Sequence, residues 1–312
     1  LGPNQGRGIA VGYWGNAGGE SSAQLHINED GTALVITGHP DVGGSRASMV
    51  NIAAEMLGIE YTKVRAQIGD TNNIGISGVT GGSRVTFAAA IAVNEATGQV
   101  IKTLKSRAAK IWGIDEEAVE WREGAAYPAG QNAGEFEPLT LEDLAAKAES
   151  TGGPITGAIS LNATGHMGVF GAHMVDVEVD TETGHVKILR YTACQDVGRA
   201  IHPDYVEGQI QGGVVQGIGW ALSEEYIYNK DGHLDNAGFL DYRMPVASDL
   251  PKIDTIMVEV PNPKHPYGVK GVGEIPLVPP LAAITNAVSH AIGIRMTELP
   301  MSPPKVLAAL NK

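Results

Sequence analysis

Apolar and polar residues alternate from Ala23 to Asn28, and Glu29-Asp30-Gly31 then turns the chain into Thr32–Gly38. This period of two predicts an antiparallel hairpin. The period then lengthens: Met49, Ile52, Ala53 and Met56 follow the i, i+3, i+4, i+7 spacing of one buried helical face, with Ser45 as the expected cap and Gly58 as the stop. A short strand is expected around Val64–Gly69 and a long helix from Val85 to Lys110. Leu141, Leu144, Ala145 and Ala148 mark the inner face of a short helix between Thr140 and Ser150. From His173 to Cys194 two alternating runs flank Thr183-Gly184 and predict a second hairpin. Asp204 to Glu225 reads as a helix, with Asp204 at the N-cap and Glu207 completing a capping box. Ile253–Val260 reads as a strand. Pro279-Pro280 opens a helix that buries Leu281, Ile284, Val288 and Ala291 and ends at Gly293, and Ser302-Pro303 starts a last short helix.

Strands and helices in this order predict an α+β fold with mixed or antiparallel sheets and packed helices. The more polar stretch from Trp112 to Gly153 reads as a junction, which divides the chain into domains 1–155 and 156–312. A chain of 312 residues, 43% hydrophobic, is long enough for two such cores.

Charge and cysteine content narrow the function. The balance of 22 Lys+Arg against 35 Asp+Glu, a net −13, argues against nucleic acid and anionic membrane as partners, because both demand concentrated positive charge. The single cysteine, Cys194, permits no internal disulfide and cannot hold an iron–sulfur cluster, so any electron transfer must leave through another chain. No window holds eighteen uninterrupted apolar residues, and LGPNQGRGIA lacks a basic start followed by an apolar run, which makes a cytoplasmic location the expectation. Leu1 in place of an initiator Met makes a trimmed, processed or fragmentary chain the expectation. His166, His173, His185, His202, His265 and His290 are scattered without metal-ligand spacing, so no metal ligand is assigned to the protein.

Glycine is abundant, 41 residues without a repeat, so many segments must bend sharply or approach something closely. The stretch PYGVKGVGEIPLVPP, residues 266–280, combines three glycines and four prolines with only two charged side chains, Lys270 and Glu274. Such a loop is stiff, and its expected purpose is to hold those two groups beside a ligand. Two glycine-rich turns, Asp41–Ser45 and Gly78–Arg84, each lead into a helix and offer backbone N–H groups to an anion such as a cofactor phosphate. Arg84 either adds charge there or is a solvated helix-end residue. The expected helix DYVEGQIQGGVVQGIGWALSEE carries five glycines, each disfavoured in a helix by about 1 kcal/mol relative to alanine, so close packing or a ligand must compensate. Gln216 stands among them with an amide that both donates and accepts, suited to a heterocycle edge.

DVGRAIHPDYVEGQIQGGVVQGIGWALSEEY and GVKGVGEIPLVPPLAAITNAV, with weaker support from TGGSR and the Ile9–Gly44 segment, resemble the C-terminal half of the molybdenum-binding subunit of the xanthine dehydrogenase and aldehyde oxidoreductase family, the molybdenum hydroxylases. The resemblance spans nearly the whole chain. It implies a two-domain molybdenum-cofactor-binding fold in which a pterin dithiolene holds the metal and the protein supplies no direct ligand. It implies that Glu274 is the active-site base, that Gln216 contacts the pterin, and that Gly81, Gly82 and Ser83 bind its phosphate end. Lys270, Gly271, Val272 and Gly273 would lie against the metal and pterin, and Gly43 and Gly44 would approach the cofactor. Relatives usually carry Gly-Gln-Gly where this chain has Val42-Gly43-Gly44, so that glutamine contact is absent.

The implied cofactor is molybdenum–molybdopterin in its cytosine dinucleotide form. Implied partners are an N-terminal-half molybdopterin subunit, a 2Fe-2S subunit and an FAD subunit, an arrangement resembling the medium subunit of nicotinate dehydrogenase. The implied reaction is hydroxylation of an electron-poor carbon of an N-heterocycle, or of an aldehyde, with oxygen from water; a carbon monoxide-oxidising member and a non-catalytic scaffold of the same assembly are the alternatives.

Overall fold

The computed structural model describes residues 1–73 and 75–312. The chain opens with three strands, β1 (Gln5–Trp14), β2 (Gly19–Ile27) and β3 (Ala33–Thr37). The expected first hairpin is β2–β3, in register from Ala23 opposite Thr37 to Ile27 opposite Ala33. Its turn is closed by Asp30, whose carboxylate accepts from the Thr32 backbone and hydroxyl at 2.9 and 2.7 Å. Helix α1 (Ser45–Leu57) then crosses to β4 (Val64–Ile68), which pairs parallel to β3. The cap differs from expectation: Gly44, at φ 75°, precedes the helix, and Ser45 Oγ instead donates to the Pro40 carbonyl.

Helix α2 (Val85–Trp112) follows as predicted. The stretch after it is more than a junction. It folds into a small antiparallel sheet of β5 (Val119–Arg122), β6 (Ala125–Pro128) and β7 (Leu139–Thr140). Thr140 and Asp143 form a capping box for α3 (Leu141–Ala146), and the single helix expected here breaks at Lys147 before α4 (Ala148–Thr151). Next come β8 (Ile155–Ala163) and the second hairpin, β9 (Val169–Val179) with β10 (Val186–Asp196). Helix α5 (Pro203–Leu222), strand β11 (Ile253–Val258), helix α6 (Val278–Ile292) and helix α7 (Pro303–Leu310) complete the chain.

Two four-stranded sheets result, β4-β3-β2-β8 and β1-β9-β10-β11, each with its own core. The first core sets Leu25, Val35, Met49, Ile52 and Leu104 between its sheet and helices α1 and α2. The second sets Val175, Val177, Tyr191, Ile210 and Ile284 between its sheet and helices α5 and α6. The sheets do not follow a division at 155/156, because β8 pairs with β2 and β1 pairs with β9. The two units therefore exchange strands, and the chain enters the first only after leaving the second.

Strand β1 shows why glycine matters to this architecture. A Cβ on Gly6 would sit 2.0 Å from the Ala287 carbonyl oxygen, and one on Gly8 2.0 Å from that of Ala283. Glycine lets α6 lie with its backbone on the strand. The run Ile275–Ile292 is long and apolar enough to cross a membrane, yet Ala283, Ile284, Ala287 and Val288 within it are fully buried against the second sheet.

The cap of helix α5 lies two residues earlier than expected, at His202 in place of Asp204, with Pro203 the first helical residue. The Asp204–Glu207 capping box does not form; the Glu207 carboxylate accepts from Gln211 instead. Gly213 and Gly217 bring this helix onto Pro276 and Pro280, where added Cβ atoms would lie 2.7 and 2.5 Å from those rings. Close packing is thus the compensation for at least these two helical glycines.

Candidate active site

The face that α5 presents to the 266–280 loop positions Glu274. This residue precedes a single turn of 3-10 helix, Ile275–Leu277, whose Pro276 is seated against Gly213. Upstream the loop is held by His265, whose Nδ1 accepts the N–H groups of Tyr267 and Val269 at 3.1 and 3.3 Å. Its Nε2 must then carry the proton and donate to the Phe87 carbonyl on α2 at 3.1 Å. Burial lowers the His265 pKa, in keeping with a neutral ring. Lys270 turns inward and its Nζ donates to Asp196 Oδ2 at 2.7 Å, while Asp196 Oδ1 accepts the Gly198 N–H at 3.0 Å. The loop is thereby clamped to α2 and to the end of β10.

A cavity of about 280 Å³ opens between the two units and is lined by Gly43, Thr80, Gly81, Ser83, His202, Tyr205, Gln209 and the backbone from Val269 to Glu274. Glu274 is half-buried in its wall. Ser83 Oγ donates to Glu274 Oε2 at 2.8 Å and accepts the Glu274 backbone N–H at 3.0 Å. Among the described residues no Lys or Arg forms an ion pair with this carboxylate. Lys270 is committed to Asp196. Arg84, buried at the head of α2, donates to the carbonyls of Gly18, Glu20 and Val79. It is neither a solvated helix-end residue nor a free cation of the cavity, but a brace between α2 and the start of β2.

Of the residues singled out in the sequence, Gly43, Gly81, Ser83, Lys270, Gly271, Val272, Gly273 and Glu274 meet at this cavity. Lys270 contributes its backbone, since its amine is turned to Asp196. Gly82 stands behind the wall at φ 70°, where a Cβ would meet Ala17 at 2.6 Å. Gly44 lies against the Tyr205 ring, outside the cavity lining. Gln216 is also elsewhere: it lines a separate cavity with Trp220, Tyr242 and Leu277, on the far side of the Pro276 turn. The α5 glutamine at the Glu274 cavity is Gln209, seven residues earlier and on the same helical face. Asp196, His202 and Tyr205 also belong to the site or its supports and lie within the DVGRAIHPDY motif, but only packing separates their roles.

The description of the molybdopterin cofactor-binding domain matches residues 3–251. The chain belongs to that family. It is 32% identical to the xanthine dehydrogenase molybdenum-binding subunit of Escherichia coli O157:H7, over 92% of this chain and 39% of that one. It is 31% identical to the 6-hydroxypseudooxynicotine dehydrogenase complex subunit gamma of Paenarthrobacter nicotinovorans, over 92% of this chain and 38% of the relative. Quinoline 2-oxidoreductase from Pseudomonas putida 86 superimposes with a TM-score of 0.89 at 26% identity, covering 99% of this chain and 42% of that one. The chain thus spans about two fifths of the length of these relatives. They place it in the molybdenum hydroxylase family, with the α+β fold described above.

The residues present fit a molybdopterin. A Cβ on Gly273 would intrude to 3.3 Å from Gln209 Nε2 and 3.6 Å from Ser83 Oγ, so glycine there keeps open the space between the amide and the carboxylate. Among the described residues the Gln209 amide at this wall has no hydrogen-bond partner. Free donors and acceptors facing a glycine-walled cavity suit a flat, polar heterocycle. Among the described residues no group of three or more His, Cys, Asp or Glu stands together.

Proposed function

We propose that this chain forms the catalytic-glutamate part of the molybdenum-binding subunit of a multi-subunit molybdenum hydroxylase. The observation that carries this reading is Glu274, an uncompensated carboxylate in the wall of a glycine-lined cavity, on a loop clamped by His265 and Lys270. When bound, the molybdenum–molybdopterin supplies a two-electron redox centre for oxidising an electron-poor carbon with oxygen derived from water. Gln209 and the backbone of Gly81 and of Lys270–Gly273 would hold the cofactor, with Gly43 making room for the Gln209 side chain, which a Cβ there would meet at 2.7 Å. Glu274 would take the proton from the attacking oxygen. Oε2 is covered by Ser83, which leaves Oε1 as the accepting atom.

The substrate class we favour is an N-heterocycle, with aldehydes second. The names of the 6-hydroxypseudooxynicotine dehydrogenase subunit and of quinoline 2-oxidoreductase support that order. A cytosine dinucleotide form of the cofactor, a 2Fe-2S subunit, an FAD subunit and a cytoplasmic location complete the proposal. So does a polypeptide supplying the rest of the relatives' length. Co-production with that polypeptide tests the reading. The assembled protein should hold molybdenum and pterin in stoichiometric amounts and this chain alone should hold little; an assembled protein without molybdenum overturns it.

A further inference from the structure

The hydroxyl of Ser83 is spoken for in a way that a cofactor-phosphate ligand would not be. Ser83 comes from the turn before α2 and Glu274 from the loop before α6, 191 residues apart, yet two hydrogen bonds join them. Because the Glu274 N–H donates into Ser83 Oγ, the hydroxyl hydrogen is left to the carboxylate, and one side chain grips both ends of the same residue. A carboxylate on a three-torsion side chain otherwise samples several rotamers. Here Oε2 is tied to a fixed donor.

The backbone at Ser83 is itself under constraint. Its φ is 55°, in the left-handed region, and Gly82 before it has φ 70°. A non-glycine residue held there costs free energy unless its surroundings enforce it. The enforcement is visible: Gly271 lies so close that a Cβ on it would be 2.3 Å from the Ser83 carbonyl oxygen and 2.7 Å from Ser83 Cβ. The turn of the first unit and the loop of the second are therefore pressed together, with Ser83 the contact between them.

We propose that Ser83 is a positioning residue, whose hydroxyl fixes the Glu274 carboxylate with Oε2 covered and Oε1 left to accept the proton. This rests on the reading of Glu274 as the base. Any anion-binding role of the Gly78–Arg84 turn then falls to the backbone N–H groups of Gly81 and its neighbours, not to this hydroxyl.

The test is a double-substitution cycle in the assembled enzyme. Ser83→Gly removes the hydroxyl while suiting the positive φ, and Glu274→Asp keeps a carboxylate but draws it one methylene away from Ser83. Ser83→Gly alone should lower kcat by about 10- to 100-fold through loss of orientation, with KM and the molybdenum and pterin contents unchanged. Placed on Glu274→Asp, it should cost less than about twofold more, because the contact is already broken. An equal loss in both backgrounds, an unchanged kcat in the single variant, or loss of molybdenum and pterin from Ser83→Gly each overturns the proposal. Full activity in Glu274→Gln would instead overturn the reading of Glu274 itself, so the two failures are told apart.

Discussion

Lys270 Nζ lies 2.7 Å from Asp196 Oδ2, with the two side chains only 5% and 15% exposed, and this pair ties the Glu274 loop to the end of β10. Two desolvated charges hold each other in a place where neither tolerates being alone. Asp196→Ala should therefore destabilise the protein by about 3–5 kcal/mol, the usual cost of leaving one member of a buried pair unmatched. Replacing both, Lys270→Met with Asp196→Leu, should recover much of that loss. Urea unfolding of the three variants checks the order; equal stability of Asp196→Ala and the parent protein would mean that the pair is not a clamp.

Acid sensitivity should come from two histidines outside the cavity lining. His39 and His173 are buried, each with one ring nitrogen unpartnered, and burial depresses both pKa values from 6.5 to about 4, with nearby Arg84 adding to the effect on His39. The unfolded chain takes up protons below 6.5 while the folded one resists until about 4, so stability is lost as pH falls through that window. The loss should approach about 3 kcal/mol per histidine at the acid end. His39→Gln and His173→Gln should each flatten the decline of unfolding free energy between pH 7 and pH 5; an unchanged slope in both would remove these residues as its source.

Contact between the two units should be fragile at Gly271. A single methyl there would lie 2.3 Å from the Ser83 carbonyl oxygen and 2.7 Å from Asn16 Oδ1, so the loop has to retreat. In the assembled protein Gly271→Ala should lower molybdenum and pterin content severalfold while far-ultraviolet circular dichroism stays that of the parent. Full cofactor content in this variant would show that the loop has room the packing does not reveal.

The legible parts of this fold were those with one-sided amphipathic periods. The β2–β3 and β9–β10 hairpins and helices α1, α2 and α6 each bury one face, so apolar spacing betrays them. Strand β1 hides because its inward residues are Gly6, Gly8 and Gly12, while Ile9, Val11 and Tyr13 point outward and are exposed. Its polarity is inverted relative to an ordinary half-buried strand. The strand exchange between sheets is equally silent, since pairing partners lie more than a hundred residues apart.

At the site, Glu274 and the glycine turns were legible because local stiffness and a motif mark them. Gln209 and Gln216 were not separable by spacing, because seven residues return to the same helical face. Only the seating of Pro276 against Gly213, between the two glutamines, puts one at the Glu274 cavity and the other beyond it. Likewise Lys270 is one of two charges in its loop by sequence, and it takes the fold to show that Asp196 claims it.

Glu274→Gln in the assembled enzyme tests most directly whether Glu274 is the proton acceptor. The amide keeps the shape of the side chain and its carbonyl still accepts from Ser83, but it cannot take a proton. Molybdenum and pterin should remain bound while kcat for hydroxylation falls by at least about 10² to 10⁴-fold, the typical worth of general-base catalysis. Turnover within about tenfold of the parent enzyme, only about 1.4 kcal/mol in barrier, would contradict the assignment.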